Sequence, residues 1–375
     1  MLDNILNKED LQLYIHASDF SRKHLSGSFE EADRSCSFAK LSWDQLVKSG
    51  YTSLFVSKEN GGYGLGLKSV AAVLNGLSRY SNDNGLLFSL AAHLLAAQAP
   101  IVKFLNPGHN IFKEICGGSI LANAMSESQG GSDAFSMTST AQRKNSGYQI
   151  RASKVFVTNA PIASFALVFA VTDIEKGVFG GISCFIVPKE NFEAGAPLQK
   201  MGLRTSPTAE LFVDSNCSND NMLGSEGSGF ITFQYAMNAE RIGIAALHLG
   251  TMERLLSSTL EKARQKKPNG KDLMAFQAVS HLIAEMKVKI DASRLFVYHA
   301  AEMFDKGYNV NDLASEVKVL VSESLNFCAS TALQIHAGNG YVEGWLERFV
   351  RDAHAATIYS GTTEIQKNII AAHLI

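Results

Sequence analysis

The pattern of apolar positions divides the chain into three parts. From Val279 to Phe304 apolar residues recur at helical spacing, and a second such series begins at Val317. The central segments FALVFAVTD, GISCFIVP and ELFVD are instead short, rich in β-branched and aromatic residues, and bounded by Gly, Asn or Pro. Together with GYQIRASKVFVTN they predict β-strands, and in that last segment four side chains are expected to point inward: Tyr148, Ile150, Val155 and Val157.

The positions of the prolines support the same division. Residues 1–99 and 269–375 contain no proline, whereas four of the seven prolines lie between residues 161 and 207. Proline is excluded from helix interiors and tolerated at strand ends and turns. The sequence therefore predicts a mostly α protein with a central β domain: a helical domain over residues 1–118, a β domain over 119–224 and a second helical domain over 225–375.

Composition and charge narrow the class of protein. The 34 basic and 36 acidic side chains give a net charge of −2, which argues against a nucleic-acid binder. The most apolar stretch, residues 86–97, is short for a membrane span, and the N-terminal residues do not resemble a secretory signal. The five cysteines are widely spaced and include no CxxC pair, which is typical of free thiols. We expect a cytoplasmic protein without membrane or nucleic-acid partners.

Several common catalytic motifs are absent. The sequence contains no GxxxxGK[ST], HExxH or GxSxG motif, and the glycines at 62, 64 and 66 have the wrong spacing for GxGxxG. The ten histidines show no metal-ligand spacing. We therefore expect neither a metal ion nor a nicotinamide cofactor of the Rossmann type.

Four other segments carry a positive signal. The segment AMSESQGGSD, residues 124–133, combines small hydroxyl side chains with glycines, and such a loop leaves backbone N–H groups free for a flat polar ring or a phosphate. It is followed along the chain by KVFVTNAPIA, by QIHAGNGY and by RDAHAATIYSGTTEIQKNII. In this order, and within an α–β–α arrangement, the four segments resemble the acyl-CoA dehydrogenase family of flavoproteins.

The resemblance implies an N-terminal helical domain, a β-barrel-like middle domain and a C-terminal four-helix bundle, assembled as a homotetramer with FAD between the β domain and the bundle. It also implies a set of FAD-binding residues: Met125, Ser126, Ser132, Phe156, Thr158, Gln334, Gly338, Thr362 and Glu364. The family's Arg-x-x-Phe-Gly turn is replaced here by ARQKKPNGKDLMAFQ. The basic residue that meets the FAD pyrophosphate is therefore either Arg264 or Lys266.

The chemistry of the family requires a carboxylate that removes the α proton of a thioester. The family usually carries this glutamate directly before the GT of its last motif, where this sequence has Ser360. Glu240 is the alternative, because it shares one helical face with four apolar residues, Phe233, Met237, Ile244 and Leu247. Burial on such a face raises the pKa of a carboxyl group. Periodicity alone favours a Glu240 that pairs with a lysine or faces solvent.

A minority of the family, including isovaleryl-CoA dehydrogenases, carries the base at this helix position, which implies that Glu240 is the base. Arg241 matches a family arginine near the active site, although a structural salt bridge is a competing role. The resemblance leaves the backbone N–H of Ser360 to polarise the thioester carbonyl, because that donor does not depend on the side chain.

The segments LLFSLAAHLL, TNAPIA and SGT look like those of family members that act on groups tethered to a carrier protein, such as prolyl-carrier-protein oxidases. A carrier-protein-dependent dehydrogenase or oxidase is thus the first hypothesis. The second is a short or branched-chain acyl-CoA dehydrogenase, and the third is a flavoprotein that binds without catalysing. The electron acceptor, O2 or an electron-transfer flavoprotein, stays open.

Overall fold

The computed structural model describes residues 2–27, 29–265 and 268–374. Its first part is helical, as predicted, because residues 8–104 carry long apolar faces and almost no helix breakers. The helices are α1 (Lys8–His24), α2 (Glu30–Arg34), α3 (Lys40–Lys48), α4 (Leu67–Ser78), α5 (Asn84–Ala91), α6 (Ala99–Phe104) and α7 (Ile111–Cys116).

One continuous helix runs through the middle of this domain. The π-helical segment Ala92–Gln98 joins α5 to α6, so that the helix spans Asn84–Phe104, 21 residues. By length and composition it is long enough to cross a membrane, but 94% of its most apolar window is buried inside the protein. The expectation of a short stretch was wrong, because the wide π turn lets the helix continue past Pro100, where a regular α-helix would break.

The middle part is an eight-stranded mixed sheet. The strands are β1 (Leu121–Ala124), β2 (Thr140–Lys144), β3 (Gly147–Thr158), β4 (Phe165–Val171), β5 (Ile182–Pro188), β6 (Glu193–Ala194), β7 (Thr208–Ser218) and β8 (Met222–Leu223). One helical turn, α8 (Gly177–Gly180), precedes β5. The sheet order is β6-β7-β3-β2-β4-β5-β8. Neighbouring strands in this order are antiparallel except for β2 and β4, which are parallel, and β1 pairs with β4 in parallel.

Strand β4 is buried on both faces, which explains its unbroken apolar sequence. Ala166, Val168 and Ala170 point into the core of the β domain. Leu167 and Phe169 point the other way, into a second core shared with the helices around α6 and α7. The β domain is therefore attached to the helical part through a continuous apolar layer.

The C-terminal part is the predicted helical bundle. Three long helices, α9 (Gly229–Gln265), α10 (Gln277–Asp305) and α11 (Asn311–His336), pack on one another, and α4 also packs against α9. The chain continues through α12 (Gly338–Tyr341), α13 (Trp345–Ala355) and α14 (Thr363–Ala372), of which α13 and α14 pack on α11. The α–β–α architecture predicted from the sequence is confirmed.

One strand prediction needs correction. Tyr148, Ile150 and Val157 are buried as expected, but Val155 is only half-buried, and Lys154 is buried in its place. The register between β3 and β7 shifts between Lys154 and Val157, which marks a β-bulge. Strict alternation from Tyr148 and Ile150 places Lys154 inward, and the bulge after Lys154 changes the phase, so that Val157 points inward and Val155 does not.

Candidate active site

A cavity of about 380 Å³ lies where the β domain meets helices α9 and α14. Its wall contains eight residues that the sequence marked as candidates: Met125, Ser126, Ser132, Phe156, Thr158, Glu240, Arg241 and Ser360. A larger groove of about 770 Å³ crosses the outer surface of the β domain, but it is open to solvent and contains none of these candidates. We therefore take the smaller cavity as the candidate active site.

The loop that follows β1 is held in place by a buried glutamate. Glu127 accepts five hydrogen bonds: from the backbone N–H and hydroxyl groups of Thr138 and Ser139, and from the ammonium group of Lys154 at 2.8 Å. Lys154 is fully buried and also donates to the carbonyl of Met125 at 3.1 Å. These contacts therefore hold Met125 and Ser126 in place at the wall of the cavity.

These contacts determine the charge of the pair. Burial by itself would raise the pKa of Glu127, but the hydrogen bonds from Lys154, Ser139 and Thr138 outweigh it and lower that pKa to about 2. Burial lowers the pKa of Lys154, and its contact with Glu127 opposes that shift. The pair is therefore a complete buried ion pair, in which each charged group has its partners.

The end of β3 presents an aromatic side chain to the cavity. Phe156 lies within the bulge at φ 55°, a left-handed conformation that is unusual for a bulky residue, and its side chain remains 72% exposed. Thr158 follows on the same wall. Asn159, at φ 68°, donates to the carbonyls of Ser89 and Leu121 and fixes the turn. Such strained backbone is typical of functional sites, where the surroundings hold it in place.

Glu240 lies on the helical wall opposite this strand. Its helix face is apolar, only 8% of the residue is exposed, and its carboxylate lines the cavity. Burial raises the pKa of Glu240 to about 7, against smaller lowering effects of Ser360, Arg241 and Lys318. A carboxyl group with a pKa near neutrality is suited to act as a general base.

Arg241 and Ser360 complete the same wall. The Arg241 guanidinium donates from Nε to the carbonyl oxygen of Ser360 at 3.2 Å, and the amide of Gln366 donates to that oxygen at 3.0 Å. Ser360 is held at φ 54° before Gly361 at φ 87°. No described residue accepts a hydrogen bond from the Ser360 backbone N–H, which leaves this donor free for a ligand.

Other candidate residues lie outside the cavity. Gln334 and Gly338 are exposed at the end of α11, and Glu364 is exposed on α14, where Thr362 is the N-cap and accepts from the N–H of Ile365. Arg264 is exposed, 24 residues beyond Glu240 on the same helix, and therefore about 36 Å away. Lys266 lies outside the described residues. Within one chain, the structure does not bring these residues to the cavity.

Sequence reasoning missed four residues around the site. Glu127 and Lys154 lie in motifs that were singled out, and Lys154 has the even spacing of the inward residues of β3, which could have revealed a buried lysine. Tyr359 lines the cavity and packs on Phe88 with ring centroids 4.8 Å apart. Lys318 lies on α11 near Arg241 and Ser360. The apolar residues Val317 and Val321 beside it in the sequence indicated its burial only indirectly.

The family is established by comparison with known proteins. Models of the acyl-CoA dehydrogenase N-terminal, middle and C-terminal domains match residues 7–109, 122–216 and 227–375. The chain therefore belongs to the acyl-CoA dehydrogenase family, and it is an FAD-dependent oxidoreductase of the class that acts on acyl thioesters. Among the described residues, no group of histidine, cysteine and acidic side chains has the arrangement of a metal site.

Two curated relatives illustrate the range within the family. A 3-(aryl)acrylate reductase of Clostridium sporogenes is 32% identical over 96% of both chains. An L-prolyl-[peptidyl-carrier protein] dehydrogenase of Pseudomonas fluorescens is 34% identical over 90% of both chains. The chain thus has similar identity to proteins with different named substrates.

Two solved structures have the same fold. The prolyl acyl carrier protein oxidase AnaB superposes with a TM-score of 0.92 at 33% identity, over 98% of this chain and 99% of that one. PigA with FAD and proline superposes with a TM-score of 0.94 at 30% identity, over 98% of both chains.

The cavity fits the flavin ring of FAD. It presents an exposed aromatic side chain, Phe156, beside hydroxyl groups of Ser126, Ser132 and Thr158. Gly131, at φ 34°, has no heavy atom near the position of a Cβ, so that the loop leaves space for a ligand at its backbone. The volume of about 380 Å³ is in the range of small-molecule and cofactor sites.

Proposed function

We propose that this protein oxidises a small acyl group held as a thioester on a carrier protein, with Glu240 as the base that removes the α proton. Bound FAD supplies the hydride acceptor, at flavin N5. The chain supplies the base, a donor for the thioester carbonyl and an apolar chamber that excludes water. The single observation that carries this proposal is that the buried Glu240 lines the same cavity as the loop and strand that fit the flavin.

The environment of Glu240 supports its role. Because burial raises its pKa to about 7, a substantial fraction of the carboxylate is ionised at neutral pH, and this form is basic enough to accept a weakly acidic proton. No other described acidic residue lines the same helical wall, since position 360 is a serine. Asp133 lies on the loop side of the cavity.

The backbone at Ser360 supports a second role. Its free N–H is available to the thioester carbonyl, on which negative charge develops as the α proton leaves. The hydrogen bonds from Arg241 and Gln366 to the Ser360 carbonyl hold this segment in one orientation. Arg241 is therefore proposed as a positioning residue, and its buried charge also faces Glu240.

The size of the cavity supports a small acyl group. About 380 Å³ must accommodate the flavin ring as well as the acyl group, and Phe88, Met237 and Tyr359 close the chamber with bulky side chains. Similarity to AnaB, PigA and an L-prolyl-[peptidyl-carrier protein] dehydrogenase favours a prolyl-like group on a carrier. Similarity to the acyl-CoA dehydrogenase of Bacillus subtilis, 34% identical, keeps a short acyl-CoA as the second candidate.

We further propose a homo-oligomer, with a tetramer as the expected state, in the cytoplasm. Gln334, Gly338 and Arg264 are exposed and distant from the cavity of their own chain, which supports a contribution to FAD binding across a subunit interface. All five cysteines are free thiols, which supports a reducing compartment. Light scattering of the FAD-loaded protein checks the oligomeric state, and a monomer would contradict it.

The experiment that tests the function is anaerobic titration of the FAD-loaded protein with a prolyl-carrier protein and, separately, with short acyl-CoAs. The absorbance of oxidised flavin should fall with the carrier substrate. Glu240→Gln should slow this reduction by about 10²–10⁴-fold, the usual contribution of a general base. Reduction by acyl-CoA alone would replace the carrier proposal, and unchanged reduction in Glu240→Gln would disprove the assignment of the base.

The chain offers a matched rescue variant. Ser360→Glu in the Glu240→Gln background moves the carboxylate to the position directly before the GT, on the same cavity wall. We expect reduction at least about tenfold faster than in Glu240→Gln, because a base is restored within reach of the same chamber. Equal rates in the two variants would mean that the wall at 360 does not face the α proton.

A further inference from the structure

A second, much smaller cavity lies behind the active-site wall. It measures about 10 Å³, roughly the space of one water molecule. Arg241, Tyr359 and Ser360 line both cavities and therefore form the partition between them. On its far side the small cavity is closed by α11, which contributes Lys318 and Ser322.

Two polar groups at this small cavity lack a partner. Lys318 is only 5% exposed, and its ammonium nitrogen makes no hydrogen bond to any described residue. The hydroxyl of Ser360 is likewise buried without a hydrogen bond of normal geometry. A buried ammonium ion without a partner costs several kcal/mol by typical values. Its presence next to the base calls for a role other than stabilising the fold.

The charged and titratable groups around Lys318 come from two elements. On α9 they are Glu240, Arg241 and the imidazole of His248, and on α14 the exposed Glu364. Burial and, to a smaller extent, Arg241 lower the pKa of Lys318 to about 8, and Glu364 and Glu240 oppose this shift.

The remaining groups near the partition are neutral. The imidazole of His248 lies 2.6 Å from the hydroxyl of Tyr359, and burial together with Lys318 lowers its pKa to about 3. Burial raises the pKa of Tyr359 well above its ordinary value. Glu240 is therefore the buried anion that Lys318 faces, while Asp133 lies across the larger cavity.

We propose that Lys318 is a positioning residue for the reaction, whose buried ammonium ion acts through the partition at Ser360 and keeps the Glu240 carboxylate ionised and directed toward the acyl group. This inference rests on the proposed function of Glu240. One water molecule in the small cavity would bridge the ammonium group and the Ser360 hydroxyl, and would give each of these unpartnered groups a hydrogen bond.

The test is the pH dependence of flavin reduction in the FAD-loaded protein, measured by rapid mixing with the carrier substrate, or with whichever thioester reduces the wild type. In the wild type the rate should rise with pH around a midpoint of about 7 and level off roughly one pH unit higher, as Glu240 ionises. Lys318→Met should move this midpoint upward by about one pH unit, the lower end of the effect of a neighbouring opposite charge. Below the midpoint this shift slows reduction about tenfold, and the plateau at high pH should change by less than about threefold.

Three further variants make the result specific. Lys367→Met removes an exposed lysine that pairs with Glu323 at 3.5 Å, and the midpoint should stay where it is in the wild type. Lys318→Arg keeps the charge, so the midpoint should return toward the wild-type value. Lys318→Met should be at least as stable to urea as the wild type, because it removes a buried charge without a partner.

The possible outcomes separate the two proposals. An unshifted midpoint in Lys318→Met, or a loss of stability without a shift, would overturn the role of Lys318. If Lys318→Met does not fold, Lys318→Gln takes its place with the same expected shift. Glu240→Gln is measured in parallel. If this variant still reduces flavin, the proposed function fails. If Glu240→Gln does not reduce flavin and Lys318→Met has the wild-type pH midpoint, only the inference about Lys318 is contradicted.

Discussion

Two buried glutamates line or support the same cavity, and their environments are opposite. Glu127 accepts five hydrogen bonds and pairs with Lys154, and its pKa falls to about 2. Glu240 is also buried, but Ser360, Arg241 and Lys318 offset the effect of burial only in part, and its pKa rises to about 7.

The difference shows that burial alone does not decide what a carboxylate does. At Glu127 hydrogen-bond donors surround the carboxylate, so its charge is stabilised and the residue holds the loop that lines the flavin site. At Glu240 fewer groups stabilise the charge, so the carboxylate has a higher affinity for a proton and is suited to transfer one. We therefore expect Glu127 to contribute to stability and Glu240, under the proposed function, to contribute to catalysis. Stability and catalysis can be measured for variants of both residues.

The largest effect on stability is expected from Glu127→Gln. This change leaves the Lys154 ammonium buried without its carboxylate, and breaking such a pair costs about 3–5 kcal/mol of unfolding free energy. FAD should also be retained less tightly, because the anchored loop carries Met125 and Ser126. Urea unfolding followed by circular dichroism measures the first effect, and flavin fluorescence after gel filtration measures the second.

The double variant Glu127→Gln/Lys154→Met serves as the control. Because it removes both charges, it should recover most of the lost unfolding free energy. A Glu127→Gln protein within about 1 kcal/mol of the wild type would show that this ion pair is not an anchor.

A smaller effect of opposite sign is expected from Glu240→Gln. The pKa of Glu240 is about 7 in the folded protein and about 4.5 when exposed, so the folded state binds its proton more tightly. This group therefore adds stability at low pH that is lost as the pH rises from about 4.5 to 7. At pH 8 the variant should be more stable than the wild type by roughly 2–3 kcal/mol.

The measurement compares urea unfolding of the two proteins at about pH 5 and pH 8, in the presence of FAD. The difference between them should be small at pH 5 and should grow by pH 8. If Glu240→Gln is less stable than the wild type at pH 8, the carboxylate is well solvated or well paired, and the contrast with Glu127 disappears.

The smallest effect is expected from Ser360→Ala. The proposed donor at this position is the backbone N–H, and the hydroxyl has no hydrogen-bond partner among the described residues. The plateau rate of flavin reduction should stay within about threefold, well below the loss expected for an oxyanion donor. Because the Ser360 side chain lowers the pKa of Glu240 more than Lys318 does, the pH midpoint should move upward at least as far as in Lys318→Met. A large loss at all pH values would assign catalysis to the hydroxyl instead.

The sequence by itself determined the order of helices and strands, because amphipathic spacing and proline positions act over a few neighbouring residues. It also marked Glu240 as a candidate base, because the resemblance to the family gave weight to a glutamate on an apolar helical face together with a serine at position 360. The motifs led to the loop at 124–133 and to the strand that ends at Thr158, all of which meet at one cavity.

Only the tertiary structure decided which faces Val155 and Val157 occupy, because the bulge that changes the alternation after Lys154 depends on pairing with β7. Likewise, only packing brought Lys318 of α11 to the same small cavity as Ser360, and Lys154 into an ion pair with Glu127. These pairs are separated by tens of residues, so no local period encodes them. Because the pKa of a buried group is set by such distant neighbours, the opposite pKa shifts of Glu127 and Glu240 were decided by the folded structure.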